Sequence, residues 1–182
     1  MIRKIVDTKN PILRQKSKPV KKIDKKIRDL AKDLVDTLRT QKDPEGVGLA
    51  ACQIGKSQRM FAMAYKSGIK VVINPEIVSI IKTVKPTKKG KKRKRPSTIL
   101  EGCLSIPYYY GPLKRPHKLT LKYQTVEDKD VTEIFEGFPA QIVQHEIDHL
   151  NGKLFVDEIL KQKRALYKID PKTDEWEKVE LV

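Results

Sequence analysis

Cysteine and histidine are scarce in this chain: two of the first and three of the second in 182 residues. Two cysteines, Cys52 and Cys103, cannot supply the disulfide framework of a small secreted scaffold, and a chain of this size has a core without one. Free thiols are expected, so each cysteine needs its own explanation. Also missing is any apolar run near the roughly 20 residues that a membrane-crossing helix requires. The opening MIRKIVDTKN lacks the apolar centre of a signal peptide, and it has an acidic residue and no serine-rich run to suit a transit peptide. A single cytoplasmic domain over residues 1–182, monomeric and not attached to membranes, is the expectation.

Charge of one sign is missing locally. The net charge is +16, and the stretch KTVKPTKKGKKRKRP, Lys82–Pro96, carries nine Lys and Arg residues with no acid. More than half of the excess therefore sits in one short segment that can bury nothing. A solvated, mobile excursion at a hairpin tip is one reading. Contact with RNA phosphates by counterion release is the other. The segment has no aromatic residue to stack on bases, so such contact would be blind to sequence.

Outside that segment the pattern is regular. Ile23, Ile27, Leu30, Leu34 and Leu38, widened by Ala31 and Val35, recur at helical spacing. Asp24 suits the N-cap and DPEG at 43–46 a closing turn. KNPILRQKSKPV, 9–20, reads as an irregular wrap. RMFAMAY (59–65), IKVVINP (69–75) and EIVSIIKTV (76–84) read as three strands, and HKLTLKYQTV (117–126) alternates as a half-buried strand that VTEIFEGF can pair with. FPAQIVQHEIDHLNG reads as a second helix, with Pro139 in its first turn and Asn151-Gly152 as its stop. The tail 165–182 suits a hairpin about DPKTD, with a frayed helix as the alternative. The class is α+β: largely antiparallel sheets packed around the central second helix, with an N-terminal helix.

Two of the three histidines fall in QHEIDHLNG, 144–152. Residues i and i+4 share one helix face, so His145 and His149 can both aim at one ion. Glu146 sits where its carboxylate reaches a water activated by that ion without taking a coordination position, the HExxH arrangement of metal hydrolases. Asp148 is placed to face solvent. The bland alternative is a charged helix with two core histidines, but Ile142, Val143, Ile147 and Leu150 make the helix internal, and buried imidazoles need partners. A third ligand would leave one open position on a four-coordinate ion, and Cys103 in EGCLS, 101–105, offers it. As a lone feature Cys103 is more often a small buried apolar residue.

GVGLAACQIG (46–55), EGCLS and QHEIDHLNG, in that order, resemble the three signature motifs of peptide deformylases. The opening KNPILRQKSKPV and VINPEI are similar to that family too, and the likeness runs over roughly residues 2–160, leaving the basic segment and the tail outside. It implies hydrolysis of the formyl group from formyl-methionyl nascent peptides, with release of formate. Carried onto this chain, Cys103, His145 and His149 would be the metal ligands. Glu146 would be the general acid/base beside a metal-bound hydroxide, and Gln53 and the Leu104 backbone N–H would be the oxyanion donors. Gly48 would contact the substrate, bound as an added strand. Ferrous iron is the ion implied first, with zinc, nickel or cobalt able to take its place; ligand type does not choose among them. The methionine pocket would draw on Val47, Ile99, Phe138, Ile142 and His145. Glu101 is expected to hold the EGCLS loop with Arg115 as its partner, and Cys52 to be core packing.

Tyr108-Tyr109-Tyr110 departs from the glycine or arginine common there, which bears on preference beyond the first residue. Ribosomal RNA becomes the partner to expect for Lys82–Pro96. Two rivals remain: a HExxH endopeptidase, which would take its third ligand downstream, from Asp157 or Glu158, and a basic RNA-binding module with a structural metal.

Overall fold

The computed structural model describes residues 1–81 and 100–180. Lys82–Pro96 and Ile99 lie outside them. Helix α1 spans Lys25–Thr40, and the Asp24 carboxylate accepts from the Ile27 N–H at 3.0 Å, so the expected N-cap is in place. The irregular wrap contains one short 3-10 turn, Pro11–Arg14, capped by Asn10.

Strands β1 (Gly48–Ala50), β2 (Met60–Tyr65), β3 (Gly68–Ile81), β6 (Lys118–Gln124) and β7 (Asp130–Glu136) form an antiparallel sheet in the order β1-β2-β3-β6-β7. Strands β4 (Leu100–Cys103), β5 (Ile106–Pro112), β8 (Leu166–Ile169) and β9 (Trp176–Val179) form a second, in the order β4-β5-β8-β9. A second 3-10 turn, Ala51–Ile54, and helices α2 (Phe138–Leu150) and α3 (Phe155–Lys161) complete the described elements. Antiparallel sheets with three helices confirm the α+β class.

Strand β2 shows how the layers stack. Side chains alternate across a strand, and here Phe61 and Met63 enter one core with Val143 and Ile147 of α2, while Met60 and Ala62 enter another with Leu34 and Leu38 of α1. Both faces are covered, so RMFAMAY carries no polar alternation. Strand β6 is covered on one face only: Leu119, Leu121 and Tyr123 are buried between more open neighbours. Each fully buried Leu, Ile or Val of α2 contributes about 1.5–3 kcal/mol, which offsets the cost of the polar side chains that this helix also buries.

Two strand expectations need correction. IKVVINP and the described part of EIVSIIKTV, Glu76–Ile81, are one strand, β3, whose register against β6 shifts between Ile73 and Glu76; residues 82–84 lie outside the described ones. Asn74 takes a left-handed φ of 50° there, and its side chain donates to the Val20 carbonyl and to Gln124 and accepts from the Val20 N–H, each at 2.8 Å. The amide side chain thus carries hydrogen bonds across the irregularity, and the strand continues. After the stop at Asn151-Gly152 the chain turns helical again in α3, which packs against β4 and β5. The tail forms the expected hairpin, β8 pairing with β9 from Leu166↔Val179 to Ile169↔Trp176.

Candidate metal centre and cleft

EGCLS is strand β4 and the turn after it. Alternation turns Leu100 and Gly102 outward and Glu101 and Cys103 inward. The register against β5 then jumps, from Gly102↔Tyr110 to Cys103↔Ile106, leaving extra residues on β5. Tyr108 sits in that bulge at φ 68°, the left-handed region that favours glycine. Bulges re-aim side chains beside functional sites, and this one lies where the sequence departs from the family pattern.

Helix α2 presents His145 and His149 to the inward face of β4. Cys103 Sγ lies 3.2 Å from His149 Nε2, and one ligand atom from each of Cys103, His145 and His149 falls within 4.8 Å of the others. Ligands held 2.0–2.3 Å from one ion sit roughly 3.5 Å apart, so this spacing fits a single cation. All three residues are buried. Asp157 and Glu158 are engaged elsewhere: the first accepts from Arg14 and the Leu154 N–H, the second pairs with Lys161. The third ligand that an endopeptidase would draw from downstream is therefore not gathered.

A second set of contacts fixes the first. Glu101 Oε1 accepts from His145 Nδ1 at 2.8 Å, which leaves His145 Nε2 for an ion. A carboxylate on the far nitrogen of a metal-binding histidine sets its tautomer and orientation. Arg115 grips the same carboxylate bidentately, Nε at 2.9 Å and Nη2 at 2.6 Å, so the partner expected for Glu101 is in place. Its Nη1 donates to Asp148 at 2.7 Å, so Asp148 is tied into this network and does not simply face solvent. Gln141 adds a bond to Glu101 at 3.3 Å.

Burial alone would raise the Glu101 pKa, but the His145 and Arg115 hydrogen bonds outweigh it and hold the carboxyl down to about 2. Burial would lower His145, but its hydrogen bonds with Cys103 and with Glu101 outweigh that and raise it well above the ordinary histidine range. Burial, then the neighbouring His145, lowers His149. An incoming cation would have to displace the His145 proton, so uptake is coupled to pH. Cys52 stays apart from this chemistry: burial pushes its thiol up to about 12, and it donates to the His149 carbonyl at 3.6 Å.

Glu146 is 2% exposed and its Oε2 has no hydrogen-bond partner among the described residues. Burial first, then the charge of Glu101, raises it to about 7 against the opposing effect of His145. A carboxyl with a pKa near neutrality can both take and return a proton. Gly48 explains itself beside it: a Cβ there would stand 2.1 Å from Glu146 Oε1. The glycine of GVGLAA is thus required by the close approach of this carboxylate, a reason that the motif alone did not reveal. Gln53 Oε1 accepts from the Ala50 N–H at 2.8 Å, leaving its Nε2 against Cys103 Sγ (3.5 Å) and Ser105 Oγ (3.3 Å).

These groups line a cleft of about 260 Å³. Val47, Gly48, Gln53, Leu104, Phe138, Ile142, His145 and Glu146 all belong to its wall, together with Cys103; His149 stands behind them. Pro44, Glu45, Leu100, Tyr110 and Gln141 also line it and were not anticipated as pocket residues. Tyr110 had a signal, the run of three tyrosines directly after the cysteine motif.

Known proteins resemble this chain in sequence and fold. The family model described as polypeptide deformylase matches residues 2–165. The peptide deformylase of Agrobacterium fabrum is 39% identical over 170 residues, 91% of each chain. That of Thermotoga neapolitana is 38% identical over 159 residues, 86% of this chain and 87% of its own. Among solved structures, the peptide deformylase from Thermotoga maritima superposes with a TM-score of 0.73 at 36% identity, covering 87% of this chain and 97% of that one. The enzyme from Ehrlichia chaffeensis gives 0.75 at 30%, covering 90% of each. Fold and relatives together define a hydrolase. The chain belongs to the peptide deformylase family, which implies removal of the N-terminal formyl group from nascent peptides. None of the described helices is long and apolar enough to cross a membrane.

Proposed function

We propose that this protein hydrolyses formyl-methionyl nascent peptides to formate and a free amino terminus, using one divalent ion held by Cys103, His145 and His149. The observation that carries the proposal is the meeting of those three buried side chains, Cys103 and His145 on the wall of a cleft that also contains Glu146 and His149 directly behind it. Ferrous iron is the ion favoured by the family resemblance, and zinc, nickel or cobalt suit the same donors. When bound, such an ion supplies Lewis acidity, bringing the pKa of a water in its reach from about 15.7 toward 7.

The chain's own groups do the rest. Glu146 Oε2 takes the proton of the attacking water and returns it to the leaving amine, a transfer that its pKa near 7 suits in both directions. Gln53 Nε2 and the Leu104 N–H stabilise the charge that develops on the formyl oxygen. Gly48 lets the substrate backbone run close to Glu146. Val47, Phe138, Ile142 and the face of His145 hold the methionine side chain; Ile99, named with them from the sequence, lies outside the described residues. We place this activity in the cytoplasm, as a monomer, where formylated chains emerge.

Formate release from formyl-Met-Ala, compared with cleavage of an internal peptide bond in an unformylated peptide, tests the reading. Formate alone is expected; cleavage of the internal bond without formate would overturn it. The basic run Lys82–Pro96 is proposed to contact ribosomal RNA, on its charge alone. Deleting residues 85–95 should weaken ribosome binding and flatten its salt dependence; an unchanged, salt-insensitive affinity rejects the contact.

A further inference from the structure

The family match ends at residue 165, and the β8–β9 hairpin lies beyond it. This hairpin extends the sheet that carries Cys103: β8 pairs with β5 through Tyr110↔Tyr167, and β9 pairs with β8. Directly paired residues share a face, as do residues two apart along a strand. Gly102, Tyr110, Tyr167 and Trp176 therefore all project from the outer face, opposite the core around Phe155 and Ile159. The rings meet there. Tyr110 and Trp176 are 5.7 Å apart between centroids, and Tyr167 and Trp176 6.4 Å, both in tilted or edge-on geometry. Trp176 nevertheless remains 51% exposed.

This aromatic face is continuous with the cleft. Tyr110 lines the cleft with Leu100 and Gly102, and its ring lies so close over Gly102 that a Cβ there would meet it at 2.6 Å. One ring thus belongs to both surfaces. A peptide strand advances about 3.3 Å per residue, so a chain leaving past Tyr110 reaches Trp176 within about two residues. Resting on the function proposed above, we propose that Tyr110, Tyr167 and Trp176 form a shelf that binds apolar, preferably aromatic, side chains at the third and fourth residues of the formyl-peptide. The hairpin beyond the family match makes this chain selective for residues downstream of the methionine.

The test compares formyl-Met-Ala-Phe-Phe with formyl-Met-Ala-Ser-Ser on the metal-loaded full chain. The aromatic peptide is expected to have a kcat/KM about tenfold higher, the size of a good aromatic contact. Trp176→Ala should bring the ratio close to one through KM of the aromatic peptide, and Trp176→Phe should restore most of it. Trp176 is the only tryptophan, so its fluorescence should shift with the product Met-Ala-Phe-Phe and not with Met-Ala-Ser-Ser. No preference in the parent protein, or a Trp176→Ala loss shared equally by both peptides, overturns the shelf. Dimerisation abolished by Trp176→Ala, without peptide preference, overturns it too, by assigning the face to a second copy of the chain. If neither peptide yields formate, the deformylation reading fails, and the fluorescence titration alone decides the shelf.

Discussion

On one wall of the cleft Gln53, Glu101, Cys103 and Glu146 are each at most 8% exposed, whereas on the other Leu100 and Phe138 keep 37% and 40% of their surface open. The polar wall is held by a second layer: Arg115, Asp148 and Gln141 close around Glu101, which in turn orients His145. Leu100 and Phe138 of the apolar wall make no side-chain hydrogen bonds and are left partly open. A buried charge that loses its partner is costly, while an apolar side chain tolerates varied neighbours. The protein therefore fixes its chemistry through interlocked groups and leaves its selectivity to surfaces that can vary.

That contrast is broken most directly at Glu146. Glu146→Ala should lower kcat by up to about 10⁴-fold while metal content stays near one per chain; a loss of less than about tenfold would remove it from the proton transfer. Gln53→Ala comes next, with kcat down roughly 100- to 1000-fold and KM little changed, as expected for a donor acting mainly on the developing oxyanion. Equal rises in KM and losses in kcat/KM would make Gln53 a substrate contact instead.

Glu101→Gln probes the layer behind. Metal affinity measured by competition with a chelator should fall about 10- to 100-fold. A variant that binds metal and turns over normally would deny Glu101 its role. The same change has a pH signature. The folded pKa of Glu101, about 2, lies below its usual 4.5, so its contribution to stability is complete above about pH 4.5 and lost as pH falls through about 2. Denaturation of Glu101→Gln should depend less on pH across that window than denaturation of the parent. The smallest effect belongs to the open wall: Phe138→Ala should raise KM for formyl-Met-Ala several-fold at nearly constant kcat, because only half-open apolar area is removed. A large kcat loss there would erase the distinction between the walls.

Much of the polar wall could be read from the sequence because its residues lie in contiguous strings. Cys103, 46 positions from His149, and Arg115, 14 from Glu101, are placed with the help of the family resemblance, whereas the i, i+4 histidines are spaced by local geometry that the chain displays directly. Helix α1 and strand β6 were legible for the same reason, through periodicity and the Asp24 cap. Helix α3 was not, since seven residues are too few for an apolar stripe to declare itself. The continuity of β3 depends on Asn74 bonding to Val20, 54 positions away, which no local pattern reports. The need for glycine at Gly48 arises from Glu146 on a distant helix, and the Tyr110–Trp176 contact from pairing of a hairpin with β5. Apart from the short α3, long-range packing accounts for what was missed.

On the proposed function, one ion shared by a sulfur and two imidazoles makes this cleft a hydrolase. Metal-stripped protein, kept anaerobic and titrated with ferrous ion while formate release from formyl-Met-Ala is followed, addresses it most directly. Activity should rise in proportion to added iron and level off at one equivalent, and Cys103→Ala should not reach that plateau. Full turnover in the stripped protein, or a plateau unchanged by loss of the thiol, would contradict it.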